Sequence, residues 1–427
     1  MKHYDVILFF LQVGVMLAVA LVCGQVMRKL RQPMVFGELL GGIVLGPTVF
    51  GALAPHAHVW LFPTAGASII GREAVIKIGL LFFMFAAGLE VNLRYLRQRA
   101  LSVACTGILG IVVPFGLGFG SVLYLPALWG LQAHNQALLL ALFVGVALSI
   151  SALPVIARIL MDLVLIKEEM GVIVLAAATM DDLIGWSLFA LVLNAFVPGN
   201  ADSSLWGTLG LVVGFAALLL SLGRLLGQPI LQWSQFGLAW PSGLIGVIAV
   251  LVLAVAALAE AIGLHAVFGA FLVGVALGQR LEEDNYASRV IHQFALSFFT
   301  PLYFVSIGLK ADFVVHFDVL FVLVVLCMAC VGKIGGAGLG AWLSGMTLRE
   351  ALAVGFGMNA RGAMEMILAS IALEYRLIDQ RIFVALITMA LVTSILSGPM
   401  LQRLMQKKTA SSLAQRVPMS QGSGKGV

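Results

Sequence analysis

The chain of 427 residues is 61% hydrophobic and only 11% charged, with a mean hydropathy of +1.07, whereas soluble domains run near roughly 45–50% apolar and about 25% charged. This composition excludes a soluble globular protein and makes lipid the solvent. The net charge of +5 does not point to nucleic acid, because most basic residues flank apolar runs, where they set topology. The 47 glycines predict closely packed helices, since small residues let backbones approach in a bilayer.

Apolar stretches of about 20 residues, divided at Gly, Pro or charged breaks, predict thirteen spans near 6–27, 33–54, 74–91, 101–125, 136–158, 169–197, 206–227, 243–262, 264–280, 292–309, 317–343, 350–374 and 381–404. The divisions at Pro33 and Gly263 carry the weakest signals. The first stretch, Val6 to Val26, exceeds a signal-peptide core and has no small-residue cleavage site, so it reads as a span. Most of the 25 Lys and Arg collect on one side if the N-terminus is outside and the C-terminus is cytoplasmic, the orientation that an odd number of spans requires. Residues 405–427 are polar and are expected to form a short disordered cytoplasmic tail. Their GSGK (Gly422 to Lys425) lacks the spacing of a phosphate loop.

Charged residues inside apolar runs carry the chemistry. Asp181 and Asp182 lie in VIVLAAATMDDLIGWSLFALVL, where an ionised carboxylate costs several kcal/mol. Joint ionisation of two adjacent buried acids is disfavoured, so the pair suits uptake of a proton or a cation near neutral pH. The bland alternative is a pair of satisfied polar residues bridging helices. Lys333 lies in another apolar run and needs a carboxylate partner, for which an intramembrane Asp is the candidate. On its helix Gly332, Gly336 and Gly340 recur every four residues, a face that admits a close neighbour. Cys327 and Cys330 form a CxxC inside the same run, read as packing; neither they nor Cys23 and Cys105 suggest a metal or disulfide framework. Glu38, Glu260 and His265 are ambiguous between path-lining and span-end positions.

Two segments read as broken helices. In GVALSISALPVIARIL, Ser149 and Ser151 precede Pro154, whose missing N–H frees carbonyls. In AVGFGMNARGAMEMILA, Gly355, Gly357, Asn359, Arg361 and Gly362 interrupt the run, and Arg361 and Glu365 are spaced for an i,i+4 contact. If spans 1–6 and 8–13 are two repeats, both breaks fall in the fifth helix of their repeat. Breaks at corresponding positions point to a midplane site in inverted-repeat transporters.

At these residues the sequence resembles the monovalent cation:proton antiporter superfamily, in particular its Kef-type and plant cation/proton exchanger branch, within the sodium/proton antiporter fold. The matching pieces, in order over about residues 30 to 400, are GELLGGIVLGPTVFG (Gly37 to Gly51), FMFAAGLEVN (Phe83 to Asn92), SISALPVIARIL (Ser149 to Leu160), MDDLIGW (Met180 to Trp186), TPLYFVSIGLKADF (Thr300 to Phe313), GKIGG (Gly332 to Gly336) and GMNARGAMEMI (Gly357 to Ile367). The resemblance implies an all-α polytopic membrane protein of about thirteen transmembrane helices, with two inverted repeats and crossed, partly unwound helices. Residues 1–404 would form the transmembrane antiporter domain, with dimerisation helices at about 6–91 and 206–309 and core helices at about 101–197 and 317–404. It further implies that Asp182 is the main cation and proton carboxylate, that Asp181 precedes it, that Lys333 pairs with Asp181, and that Ser149 and Ser151 flank the first unwound stretch. Kef-type members carry a nucleotide-binding domain and plant exchangers a long tail; neither pattern occurs here, so ligand gating of that kind is not expected.

The resulting expectation is a non-enzymatic secondary transporter of the inner membrane, a homodimer, that exchanges Na⁺ or K⁺ for protons at Asp182 and Asp181 without a cofactor. Two protons per cation would make it electrogenic. The alternative is a proton-uncoupled gated cation channel on the same scaffold. An intramembrane protease is disfavoured by the lack of HExxH or GxSxG and by carboxylates on one helix rather than two. A sensor is disfavoured by the intact Asp181, Asp182 and Lys333.

Overall fold

The structure, a computed structural model, describes residues 3–30, 32–63, 66–91, 100–130, 137–163, 165, 168–194, 205–237, 242–278 and 286–415. Among the described residues it is helical, with no strand. The helices are α1 (His3–Lys29), α2 (Met34–Leu45), α3 (Pro55–Leu61), α4 (Ala67–Glu90), α5 (Ala100–Tyr124), α6 (Ala137–Ser149), α7 (Leu153–Asp162), α8 (Glu169–Asn194) and α9 (Leu205–Gly237). They continue as α10 (Ser242–Ala261), α11 (Ala266–Gly278), α12 (Tyr286–Phe294), α13 (Thr300–Lys310), α14 (Phe313–His316), α15 (Val319–Leu343), α16 (Leu348–Met358), α17 (Ala363–Glu374) and α18 (Gln380–Gln415). Among the described residues nine helical segments are long and apolar enough to cross a membrane, and two shorter apolar ones, Gly207–Gly223 and Ala266–Gly278, stand beside them.

The two weakest divisions fall where expected. Pro33 directly precedes α2, and Gly263, between α10 and α11, has φ +83°, a left-handed conformation that glycine adopts freely. The end of the chain differs from expectation: α18 runs on to Gln415 rather than stopping near 404. The last span, Gln380–Met405, ends as expected, but the stretch SSLAQ has no Pro or Gly to end a helix, so α18 continues beyond it into the polar segment read as disordered. Residues 416–427 lie outside the described residues.

Both broken helices occur, and the first breaks a few residues earlier than the proline suggests. Pro154 sits in the first turn of α7, where its missing N–H leaves no bond unmade, and Ile150 to Ala152 form the gap. The cause is the clash of a proline ring with the carbonyl four residues back, here that of Ile150. The second gap, Asn359–Gly362, separates α16 from α17. A capping box starts α16, with Thr347 Oγ1 accepting from Glu350 N at 3.3 Å and Glu350 Oε2 accepting from Thr347 N at 3.2 Å.

Glycine determines which helices meet. A Cβ on Gly340 would lie 2.2 Å from Cys105 O, one on Gly336 2.4 Å from Leu109 O, and one on Gly332 2.8 Å from Pro114 Cα. The small-residue face of α15 is therefore occupied by α5. In the same way Gly42 and Gly308 lock α2 to α13, with Cβ positions 2.2 Å from Val305 O and 2.3 Å from Leu39 O, and Gly88 and Gly274 lock α4 to α11, each 2.2 Å from a carbonyl of the other helix. At one end of the bundle Asp318 caps α15 through Phe321 N at 3.1 Å and pairs with Arg381 at 2.7 Å. The Phe321 amide and then the guanidinium hold that carboxyl below the ordinary carboxylate range.

Overpacking at these contacts is costly. Gly308→Ala is expected to destabilise the protein by about 1–3 kcal/mol, whereas Gly335→Ala, where a Cβ meets nothing within 4 Å, leaves stability unchanged. Thermal unfolding of the purified protein in detergent compares the two variants, and equal midpoints would contradict the packing account.

Candidate functional site

The two gaps cross. Ala152 N donates to Ala360 O at 2.9 Å, so each unwound stretch supplies a backbone partner that the other lacks. Backbone groups away from water need such partners. Ser151 Oγ lies 2.7 Å from Met358 O at the end of α16 and 2.8 Å from Asp181 Oδ2 on α8. The hydroxyl has one proton and serves one of these acceptors at a time. With Asp181 ionised it donates to the carboxylate; with Asp181 protonated it accepts from the acid and donates to Met358 O.

The last carbonyls of α6 carry the negative end of its dipole, and two cations meet them. Arg361 Nη1 donates to Ala147 O at 2.8 Å and Nη2 donates to Leu148 O. Lys333 Nζ donates to Ser149 O, to Gly110 O at 2.9 Å and to Asp181 Oδ2. The three ammonium protons of Lys333 thus have three acceptors, on α6, α5 and α8, and the side chain is fully buried. Gly355, whose Cβ would lie 2.5 Å from Ile334 O, lets α16 pack directly beside Lys333 on α15. Glu365, in the first turn of α17, lies 3.5 Å from Arg361 Nη1, the i,i+4 contact expected from the spacing.

Asp182 differs from its neighbour. It is 1% exposed, and its Oδ1, like Asp181 Oδ1, is buried with no hydrogen-bond partner among the described residues. Two adjacent residues thus each carry a buried carboxylate oxygen with an unused lone pair among the described residues, a donor chemistry that suits a proton or a monovalent cation. Electrostatically Asp182 feels Asp181, Glu90 at the end of α4, and Lys333.

Of the residues singled out in the sequence, Asp181, Asp182, Ser151, Lys333, Asn359, Arg361 and Glu365 gather here, and Pro154 starts the helix beyond the first gap. Ser149 is present through its carbonyl only; its hydroxyl turns back to Val146 O at 2.8 Å, because a serine near a helix end readily bonds the preceding turn. Asn359 Nδ2 contacts Cys330 Sγ at 3.5 Å and its Oδ1 has no partner among the described residues. Sequence reasoning missed Ser394 on α18. Its hydroxyl accepts from Arg361 N at 3.0 Å and donates to Arg361 O. The signal was the polar run Thr393, Ser394, Ser397 inside an apolar span. A cavity of about 1020 Å³ lies elsewhere, lined by Arg72, Lys77, Glu260, His265, Lys310 and Glu374 among others, and it includes none of the clustered residues.

These features define a polytopic helical membrane protein with two crossed, interrupted helices beside buried carboxylates. A family model described as "Sodium/hydrogen exchanger, transmembrane" matches residues 16–407, and the chain belongs to that family. It is 33% identical over 405 residues to Cation/H(+) antiporter 18 of Arabidopsis thaliana, covering 92% of this chain and 48% of that one. It is 31% identical over 409 residues to the Na(+)/H(+) antiporter NhaS4 of Synechocystis, covering 95% and 98%, and 29% identical over 418 residues to the K(+)/H(+) antiporter 1 of Saccharomyces cerevisiae, covering 94% and 47%. The chain thus spans about half the length of the plant and yeast relatives and nearly all of the cyanobacterial one. In fold it matches the sodium proton antiporter MjNhaP1 from Methanocaldococcus jannaschii, with a TM-score of 0.67 and 16% identity over 97% of this chain and 99% of that one.

Removing one member of a buried ion pair leaves the other charge uncompensated. Lys333→Ala is therefore expected to cost about 3–5 kcal/mol of stability, and Lys333→Met combined with Asp181→Asn to recover most of it. Unfolding midpoints of the single and double variants test this; a single variant as stable as the parent would remove the pair from the account.

Proposed function

We propose that the protein is a secondary transporter that exchanges a monovalent cation, Na⁺ or K⁺, for protons across the membrane by alternating access. The observation that carries the reading is the buried pair in which Asp181 is held by Lys333 and Ser151 while Asp182 Oδ1 has no hydrogen-bond partner among the described residues. A carboxylate with one such open oxygen accepts either a proton or a cation there but not both, and that competition alone makes exchange obligatory. Relatives named as Na(+)/H(+) and K(+)/H(+) antiporters support the class. No observation favours a proton-uncoupled channel.

In this reading Asp182, with Asp181, binds the cation, and Ser151 with the freed carbonyls of the crossing completes its coordination. Lys333 and Arg361 neutralise the end of α6, and Asn359, Glu365 and Pro154 shape the two breaks. The thirteen-span arrangement with inverted repeats is part of the proposal. It is supported by the pairing of α2 with α13 and of α4 with α11, which would be equivalent contacts under a two-fold exchange of the halves. The core, at about 101–197 and 317–404, would slide against dimerisation helices at about 6–91 and 206–309 of a homodimer. The protein would sit in the cytoplasmic membrane with its N-terminus outside.

In proteoliposomes holding a pH dye, addition of Na⁺, K⁺, Li⁺ or Rb⁺ is expected to drive proton movement with at least one ion, and Asp182→Asn to abolish it. Silence of the parent towards every cation between about pH 6 and pH 9, either side of neutrality, would refute the antiport reading.

The Asp181–Lys333 pair supports a stoichiometry of two protons per cation. One net charge then moves per cycle, worth about 2.3 kcal/mol per 100 mV. Uptake is expected to change when the membrane potential is clamped; identical rates with and without the clamp would make exchange electroneutral.

A further inference from the structure

Unwinding at Asn359–Gly362 removes the helical partners of several backbone groups, and three of them are re-paired with other backbone groups. Asn359 N returns to Gly355 O at 3.1 Å, Ala360 N to Gly357 O at 3.3 Å, and Ala360 O takes the amide of Ala152 at 2.9 Å. Arg361 differs from these, because among the described residues neither its N–H nor its C=O finds a backbone group of the crossing. Both go to one side-chain atom, the hydroxyl of Ser394. That hydroxyl is buried at 4% exposure, and it uses its acceptor and its single proton on the same residue of another helix.

The residue so held is the one whose guanidinium closes the last carbonyls of α6, at Ala147 and Leu148, one position before the carbonyl that Lys333 takes beside Asp181. Arg361 reaches α6 from an unwound stretch with no helical frame of its own. Its backbone position fixes where the guanidinium arrives, and α18 fixes that position through a single hydroxyl. Among the described residues Thr393 and Ser397, its polar neighbours on α18, bond to the preceding turn of their own helix, Thr393 at Met389 O (2.9 Å) and Ala390 O (3.3 Å) and Ser397 at Thr393 O (2.8 Å).

We infer that Ser394 is a positioning residue for the cation site: by clamping both backbone groups of Arg361 it sets the end of α6, and through the shared carbonyl row it sets Lys333 and Asp181. The inference rests on the proposed exchange of a monovalent cation at Asp181 and Asp182. Ser394 touches neither carboxylate, so its effect is transmitted wholly through Arg361.

The test uses the full-length protein in proteoliposomes with whichever of Na⁺, K⁺, Li⁺ or Rb⁺ the parent transports, and reads the apparent KM, the maximal rate and the shift of the unfolding midpoint by the same cation. Ser394→Ala is expected to raise the apparent KM about tenfold and to shrink the cation-induced shift, the effect of losing one well-placed buried hydrogen-bonded group. Ser394→Thr, which keeps a hydroxyl, restores most of the affinity. Ser397→Ala, which loses only a bond within its own helix, leaves KM unchanged. An unaltered KM and thermal shift in Ser394→Ala, or a loss of affinity that Ser394→Thr does not reverse, would overturn the inference. If Ser394→Ala does not fold, Ser394→Cys, with a weak donor of similar size, is judged by the same criteria. Should the parent move no protons with any cation, the antiport reading fails, and the thermal shift with these four cations still decides whether Ser394 governs a cation site.

Discussion

Interrupting a helix at the depth of a bilayer leaves carbonyls and amides without water to satisfy them, and each would cost several kcal/mol if it stayed unpaired. The architecture of the site follows from how α6 resolves this at its broken end. Its last three carbonyls, at Ala147, Leu148 and Ser149, take Arg361 and Lys333, so a partial negative charge that would repel a nearby carboxylate is covered by two cations. Only with that end neutralised is Asp181 tolerable one helix away, and Lys333 is the residue that serves both.

The same constraint links the polar centre to the apolar packing. Lys333 reaches α6, α5 and α8 together because α15 lies against α5 through Gly332, Gly336 and Gly340, with almost no side-chain layer between the helices. Gly355 brings α16 equally close to α15. A larger residue at any of these positions would move a helix by more than the tolerance of a hydrogen bond, so glycine and ion-pair geometry are one requirement. Elsewhere the packing of α2 on α13 and of α4 on α11 rests on glycines and backbone carbonyls and involves none of the charged centre.

Much of this was legible in the sequence for a simple reason: charge and helix breakers are conspicuous against lipid-facing residues. Asp181, Asp182, Lys333 and Arg361 stand out because a solitary charge in an apolar run has few structural excuses, and both gaps announced themselves by Pro154 and by the Gly-Asn-Arg-Gly cluster. What was not legible depended on local geometry. The gap opens at Ile150 because a proline ring acts four residues upstream, Ser149 contributes a carbonyl and not its hydroxyl because it bonds its own turn, and α18 extends past 404 because no residue there stops it. Ser394 escaped notice because serine is common in spans, and nothing in one sequence shows that a hydroxyl faces an unwound backbone rather than its own helix.

The hydroxyl of Ser151 stands between a carboxylate oxygen and a backbone carbonyl at nearly equal distances. When Asp181 gains a proton, rotation about one C–O bond changes the hydroxyl from donor toward the carboxylate to acceptor from the acid. The hydrogen bonding around Asp181 can thus follow its protonation without a change in how the helices pack. In the proposed exchange, the proton content of Asp181 would then be registered by a single rotor, the hydroxyl of Ser151, with the helices themselves unmoved.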